Sequence, residues 1–140
     1  MASASAKLLD TDICIEVLRG RRAAVERMAA EMVSGDLRIC TITAFELVFG
    51  AESSPRVGDE LAKVRAFLAG GPRVAPFETG DAECAGRLRA ALSGRGEMIG
   101  AYDLLIAGQG LARAWTVVTA NTREFARVQG LRLETWIDRA

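Results

Sequence analysis

The sequence predicts an α/β fold on a mainly parallel sheet of about five strands. Two observations predict it. Short β-like runs alternate with segments of helical period, the pattern of successive βαβ units. One helix-length segment near the C-terminus is apolar nearly all round, as a helix covered on every side must be. The chain has 140 residues, half of them hydrophobic. That suffices for one domain spanning 1–140 with a core of its own and leaves little room for a second.

The elements follow in order. MASASA (1–6) lacks the apolar stretch of a secretory signal and is expected to be a loose, disordered tail. KLLD (7–10) is the first strand, and Thr11 or Asp12 is placed to cap a helix after it. Val25, Met28, Ala29 and Met32 recur at i, i+3, i+4 and i+7, with Gly35 as a stop, which predicts a surface helix with one buried face. LRICT (37–41) is the second strand; Thr43 and Glu46 then match the S/T-x-x-E capping box. SSPRVG (53–58) is the clearest loop. Leu61, Val64 and Leu68 form a second stripe closed by Gly70 and Gly71, before a third strand at RVAP (73–76). Cys84, Leu88, Ala91 and Leu92 form another stripe, closed by Gly94. The all-apolar segment, about 101–112, is the central helix, and strands at TVVT (116–119) and LRLE (131–134) complete the sheet.

Composition narrows the chemistry. Eighteen basic residues balance eighteen acidic ones, so any polyanion site must be a local patch. There is no histidine, which excludes Ser-His-Asp triads, Cys-His pairs and histidine metal sites and leaves the work to carboxylates. Cys14, Cys40 and Cys84 are odd in number, widely spaced and set among apolar neighbours, as thiols in a reducing compartment are. No apolar run is long enough to cross a bilayer. A cytoplasmic protein without a membrane segment is expected.

Asp103 poses the sharpest question, because it sits within the apolar stretch MIGAYDLLIAGQGL (98–111), where an unpaired carboxylate is costly. Asp10 ends the first strand, Glu46 lies just past the second, Asp103 opens the central helix, and Asn121 and Glu124 follow the fourth strand in TANTREF. Each has a structural alternative: a loop carboxylate at Asp10, the capping box at Glu46, the helix macrodipole at Asp103 and an Asn turn at Asn121. Jointly, four segments deliver a carboxylate or amide to the edge where a parallel sheet collects its reactive groups. Unneutralised, such a cluster repels itself, and a hard divalent cation, Mg²⁺ or Mn²⁺, resolves the conflict. With no histidine or covalent nucleophile, metal-activated water fits phosphodiester hydrolysis best, although a phosphomonoesterase would use the metal equally well.

The spaced set LLDTD, ITAFEL and IGAYDLLIAGQGLARAWTVVTANTREFARVQGLRLETW resembles the PIN-domain ribonucleases of the VapC type, toxins of bacterial VapBC toxin–antitoxin pairs. The resemblance covers nearly the whole chain and is most specific over its last 38 residues, 99–136. It implies a three-layer α/β/α sandwich and a Mg²⁺-dependent endoribonuclease acting on RNA. It also implies a homodimer, able to enter a larger toxin–antitoxin assembly and silenced by a VapB-like antitoxin. Carried over by position, Asp10, Glu46 and Asp103 fall on the three acidic residues of the family's site. The fourth position, often Asp, falls on Asn121, with Glu124 three residues later. Asp10 and Asp103 are then the expected metal ligands, Glu46 a ligand or water-orienter, and Asn121 with Glu124 the flank of the catalytic site.

Other features carry less. GQGLAR (108–113) shares two glycines with a dinucleotide fingerprint, but Arg113 holds the third position and the stretch lies inside a helix. Arg87, Arg89, Arg95, Arg123 and Arg127 are candidates for RNA phosphates or solvated helix faces. Leu47, Phe49, Phe67 and Leu68 are candidates for a partner groove or for core. The competing functions are a non-toxin metal nuclease or phosphatase, and an inert PIN-like binding module.

Overall fold

The computed structural model describes residues 6–137. Five strands, β1 (Lys7–Leu9), β2 (Leu37–Cys40), β3 (Arg73–Ala75), β4 (Thr116–Val118) and β5 (Leu133–Glu134), form one sheet in the order β3-β2-β1-β4-β5. All neighbours pair in parallel. The helices are α1 (Thr11–Leu18), α2 (Arg22–Ser34), α3 (Thr41–Glu52), α4 (Val57–Gly70), α5 (Thr79–Gly94), α6 (Ala101–Arg113) and the single turn α7 (Thr122–Phe125).

Strand alternation makes the layers, because successive side chains point to opposite faces. Leu9, Leu37, Ile39 and Val118 face one side, where Ile13, Leu47, Val64 and Phe67 from α1, α3 and α4 cover them. Leu8, Cys40 and Val117 face the other, against Leu88, Leu92, Leu104, Ile106 and Phe125 from α5, α6 and α7. The result is a three-layer α/β/α sandwich. From β1 the chain steps through β2 to β3 on one side, then crosses to β4 on the far side of β1. A crevice opens at the carboxyl ends of the strands where the order reverses, and open α/β sheets bind ligands there.

Several expectations need correction. Of the tail expected at 1–6, residues 1–5 lie outside the described residues. Ala6 is buried, and its carbonyl accepts from the Thr116 amide at 3.3 Å, because it extends the central strand. The α2 stripe is narrower than its periodicity suggests: Ala24 is buried and Met28 partly so, whereas Val25, Ala29 and Met32 are exposed. α2 packs against α1 and meets Lys7 of β1 and Glu134 of β5 through its charged Glu31 and Arg27, so only part of its apolar side is covered. Thr43 and Glu46 do not make a capping box. Cys40 is the N-cap of α3, its Sγ accepting from the Ile42 amide at 3.4 Å, and Thr43 and Glu46 lie inside the helix. The expected loop at 53–58 is shortened by α4, which begins at Val57.

The central helix α6 buries Leu104 and the run Ile106–Gly110. Its glycines serve packing. A Cβ at Gly108 would stand 2.6 Å from the Ala85 Cβ and 2.9 Å from its Cα, so the lack of one lets α6 touch α5; at Gly110 it would stand 2.6 Å from Val117 Cγ2 of β4. Away from the crevice, buried Asp81 ties the start of α5 to the end of α6 through Arg113, whose Nε and Nη2 donate to its two oxygens at 3.0 and 2.9 Å. Gln109 Nε2 and the Glu78 amide also donate to Asp81. Burial pushes the Asp81 carboxyl up, but these donors, Arg113 first, hold it below the usual range.

Gly108→Ala gains about 1 kcal/mol of helix propensity but overpacks a backbone contact, which typically costs about 1–3 kcal/mol. A net loss of stability is expected, measured as a lower urea midpoint with unchanged slope.

Candidate functional site

The crevice is built around the end of β1. The Asp10 amide bonds to the Val118 carbonyl at 2.8 Å, extending the β1–β4 pairing, and Asp10 then turns out of the sheet as the N-cap of α1. Its side chain is 2% exposed. Oδ1 accepts from the Thr11 amide and Oδ2 from the Thr119 hydroxyl, both at 2.8 Å. Thr119 in turn accepts from the Asn121 amide at 2.9 Å, so one hydroxyl joins the end of β1 to the turn after β4.

Glu46 reaches the crevice from the second turn of α3. The Thr11 hydroxyl, 2.6 Å from Glu46 Oε1 and 3.0 Å from the Thr43 hydroxyl, fixes its carboxylate. Asp103 arrives in the first turn of α6, where the helix dipole favours a negative charge. The N-cap Gly100 sets its place: a Cβ there would stand 3.3 Å from Asp103 Oδ2. Asp10, Thr11, Asp12, Ile15, Glu46, Asp103 and Asn121 line one cleft of about 270 Å³.

The expected residues therefore meet, except one. Glu124 does not line the cleft; it stands behind it, its oxygens accepting from the Gly100 amide and the Asn121 Nδ2, each at 2.8 Å. These two bonds, Asn121 first, hold its carboxyl below the usual range and brace both Asn121 and the start of α6. The arginines considered for RNA divide. Arg95 pairs with Glu97 at 2.9 Å and donates to the Arg127 carbonyl, while Arg127 donates to the Met98 carbonyl at 2.8 Å. Both pin the segment before α6. Arg87 lines a separate cavity beside Asp81. Leu47 and Phe67 belong to the core, while Phe49 is 64% exposed.

Three residues at the cleft carry more than the sequence suggested. Thr11 and Thr119 are the hydroxyl clamps on Glu46 and Asp10. Asp12 is a further carboxylate in the wall, its Oδ2 accepting from the Ala120 amide at 3.1 Å and the Thr119 hydroxyl at 3.4 Å. The signal was the doublet Asp10-x-Asp12 at a strand end, where helix capping is an equally good reading.

The electrostatics are one-sided. Among the described residues, no Lys or Arg stands at ion-pair distance from Asp10, Asp12, Glu46, Asp103 or Glu124. Burial pushes the Asp10 carboxyl well up, and Asp12 and Asp103 push it further, against the two hydrogen bonds it accepts. Asp103 is raised to about 6 by burial and then by Glu124, Glu46 and Asp12, with Asn121 acting in the opposite sense. The buried Cys14 thiol beneath is pushed up by burial and by Asp10 and Asp12.

Such a donor set fits a hard divalent cation: it is all oxygen, it repels itself, and one buried oxygen, Asp12 Oδ1, has no hydrogen-bond partner. As they stand, no three acidic or thiol side chains of the described residues enclose an ion, so holding one would draw the carboxylates together.

The family profile described as PIN domain matches residues 7–131. Over 129 residues the chain is 37% identical to the tRNA(fMet)-specific endonuclease VapC of Shigella flexneri, covering 92% of this chain and 96% of the other. It is 32% identical over 130 residues to ribonuclease VapC2 of Haemophilus influenzae, covering 93% and 97%. Among solved structures, DNA-bound VapBC from Salmonella typhimurium superposes with a TM-score of 0.88 at 35% identity, covering 96% of this chain and all of the other. VapBC2 from Rickettsia felis, bound to a promoter DNA fragment, superposes with a TM-score of 0.88 at 28% identity, covering 94% and 99%.

Because Asp103 titrates near 6 when folded and near its ordinary 3.8 when unfolded, the folded state holds the extra proton between those values. The stability of the cation-free protein therefore falls as pH rises through that window, and the loss persists above it. In EDTA, Asp103→Asn is expected to exceed the parent in stability near pH 7.5 by on the order of 1 kcal/mol after solvent screening, with the difference closing near pH 4. Urea unfolding at the two pH values measures it.

Proposed function

The chain belongs to the PIN-domain family, in its VapC-type group, and on that premise we propose that it is a Mg²⁺- or Mn²⁺-dependent endoribonuclease, the toxin of a toxin–antitoxin pair. The observation that carries the proposal is the convergence of Asp10, Glu46, Asp103 and Asn121 on one cleft with no cationic side chain to neutralise it. Asp10, Glu46 and Asp103 would hold the ion, which would supply a water acidified enough to attack the phosphodiester and a positive charge to receive the phosphate.

The chain's own residues do the rest. Without a cation the lining repels a polyanion, so the carboxylates admit RNA only once their charge is offset. Thr119 and the Thr11 amide keep Asp10 oriented, and the Thr11 hydroxyl keeps Glu46 oriented toward the same space. Asn121 adds an uncharged polar group beside Asp103, where a further carboxylate would raise the repulsion. The relative named for tRNA(fMet) makes an initiator tRNA the first substrate to assay. A reducing cytoplasm suits such a substrate and three free thiols. Among the described residues, no helix is long and apolar enough to cross a membrane.

A carboxylate nuclease is active whenever its cleft is open, so the cell needs a lock. The likeness to the VapBC structures supports a VapB-like antitoxin as that lock. Its apolar helix has a seat beside the cleft, in a groove lined by Ile15, Leu18, Leu47, Ala51 and Val64 with Glu46 at its edge. A basic side chain laid from there onto the carboxylates would replace the cation's charge. Phe45, Phe49 and Tyr102, all exposed, form a second apolar face for homodimer contact, from which a larger toxin–antitoxin assembly could grow.

Asp103→Asn is expected to lower Mg²⁺-dependent tRNA cleavage by at least about 100-fold, since loss of even an outer-shell group commonly costs about 10–100-fold. Its thermal unfolding should stay cooperative. Cleavage persisting at the parent rate would remove Asp103 from the site. Copurification with the product of the adjacent small reading frame is expected to suppress cleavage; equal activity from a stable complex would exclude a lock at this cleft.

A further inference from the structure

Asp12 lies in the first turn of α1, on the wall of the carboxylate cleft, and its two oxygens have unlike surroundings. Oδ2 is committed to the turn after β4 through the Ala120 amide and the Thr119 hydroxyl. Oδ1 is buried and accepts no hydrogen bond. The other buried side-chain atom of this kind among the described residues, Gln109 Oε1, belongs to a neutral amide whose nitrogen bonds to the Ala75 and Pro76 carbonyls and to Asp81. An unpaired oxygen of a charged group is the more expensive of the two, and buried polar groups are otherwise almost always satisfied.

No charged neighbour offers Oδ1 a partner. It acts electrostatically on Asp10, on Asp103 of α6 and on the Cys14 thiol, none of which is positive. No Lys or Arg of the described residues pairs with it. Rotating away would break the Ala120 bond. The oxygen is therefore fixed in place through the bonds of its twin and lacks a donor of its own, beside the groups that call for a cation.

We infer that Asp12 is an additional ligand of the divalent cation in this cleft, its Oδ1 joining the oxygens of Asp10, Glu46 and Asp103. The inference rests on the metal-dependent reading above. It gives Asp12 two tasks: one oxygen holds the ion while the other holds the turn that carries Asn121. Occupancy of the cleft is thereby coupled to the position of that turn.

The test uses the full chain, with Mn²⁺ binding followed by the electron paramagnetic resonance of the free ion and thermal midpoints measured in EDTA. Asp12→Asn keeps the shape and one acceptor oxygen for the Ala120 amide and Thr119, but puts an amide nitrogen, which cannot bind the ion, in place of Oδ1. It should melt at or above the parent temperature in EDTA, because a buried charge has gone, while its Kd for Mn²⁺ rises about tenfold or more. Should it melt lower, Asp12→Ser, which retains an acceptor hydroxyl, takes its place with the same expected rise. A parent-like Kd in the folded variant overturns the inference and leaves Asp12 serving the turn alone. If the parent itself binds no Mn²⁺, the metal-dependent reading falls and the inference with it. Parent binding with an Asp103→Asn loss and no Asp12→Asn loss separates the two.

Discussion

Like charges held at one low-dielectric edge of the sheet are the constraint on which the site depends. The neighbouring carboxylates raise the proton affinity of Asp10 and Asp103, yet the chain meets the cluster only with neutral donors: the hydroxyls of Thr11 and Thr119, the backbone amides of Thr11 and Ala120, and the amide of Asn121. Neutral donors orient a carboxylate without cancelling its charge. The fold carries this strain because the sandwich beneath is well filled, with Leu8, Leu9, Val117 and Val118 fully buried on the strands that bear the cleft.

Away from the cleft, beyond edge strand β3, the chain neutralises a buried acid. Asp81 is as buried as Asp10, but it receives a two-pronged bond from Arg113, which also lies over the Trp115 ring at 5.3 Å. Its pKa is lowered where that of Asp10 is raised, with burial opposing the charge in both cases. The difference is the presence of a guanidinium. Two buried aspartates in one fold thus serve opposite ends: one fastens α5 to α6, and the other leaves a charge deficit for something from outside.

The sequence shows the frame of this arrangement more readily than its wiring. Strand positions are legible because alternation and short apolar runs leave a strong local imprint, and α6 because a carboxylate inside an apolar helix is conspicuous. Asp10, Glu46 and Asp103 were recoverable from their places at element ends. The contacts that orient them were not: Thr11 to Glu46 spans 35 residues and Thr119 to Asp10 spans 109, and such partners depend on tertiary packing. Thr43 and Glu46 misled in the opposite direction, since their spacing satisfies a local capping rule while the helix starts three residues earlier, with Cys40 as its N-cap. On α2 the apolar period exceeds what the helix buries, because it packs on α1 and turns charged groups, Glu31 and Arg27, toward Lys7 and Glu134 of the sheet.

The stretch before α6 has a mechanical consequence. Residues 95–100 join two long helices, include two glycines, and would make a natural lid beside the cleft. Instead they are stapled down: Arg95 grips the Arg127 carbonyl, Arg127 grips the Met98 carbonyl, and Glu124 grips the Gly100 amide. A segment fastened at three points is a doorframe rather than a door. Its amides should be among the slower to exchange with solvent for a connecting segment, and the start of α6, which carries Asp103, is braced from outside the helix. An entrance framed in this way would have to be shut by a second molecule rather than by a movement of its own rim.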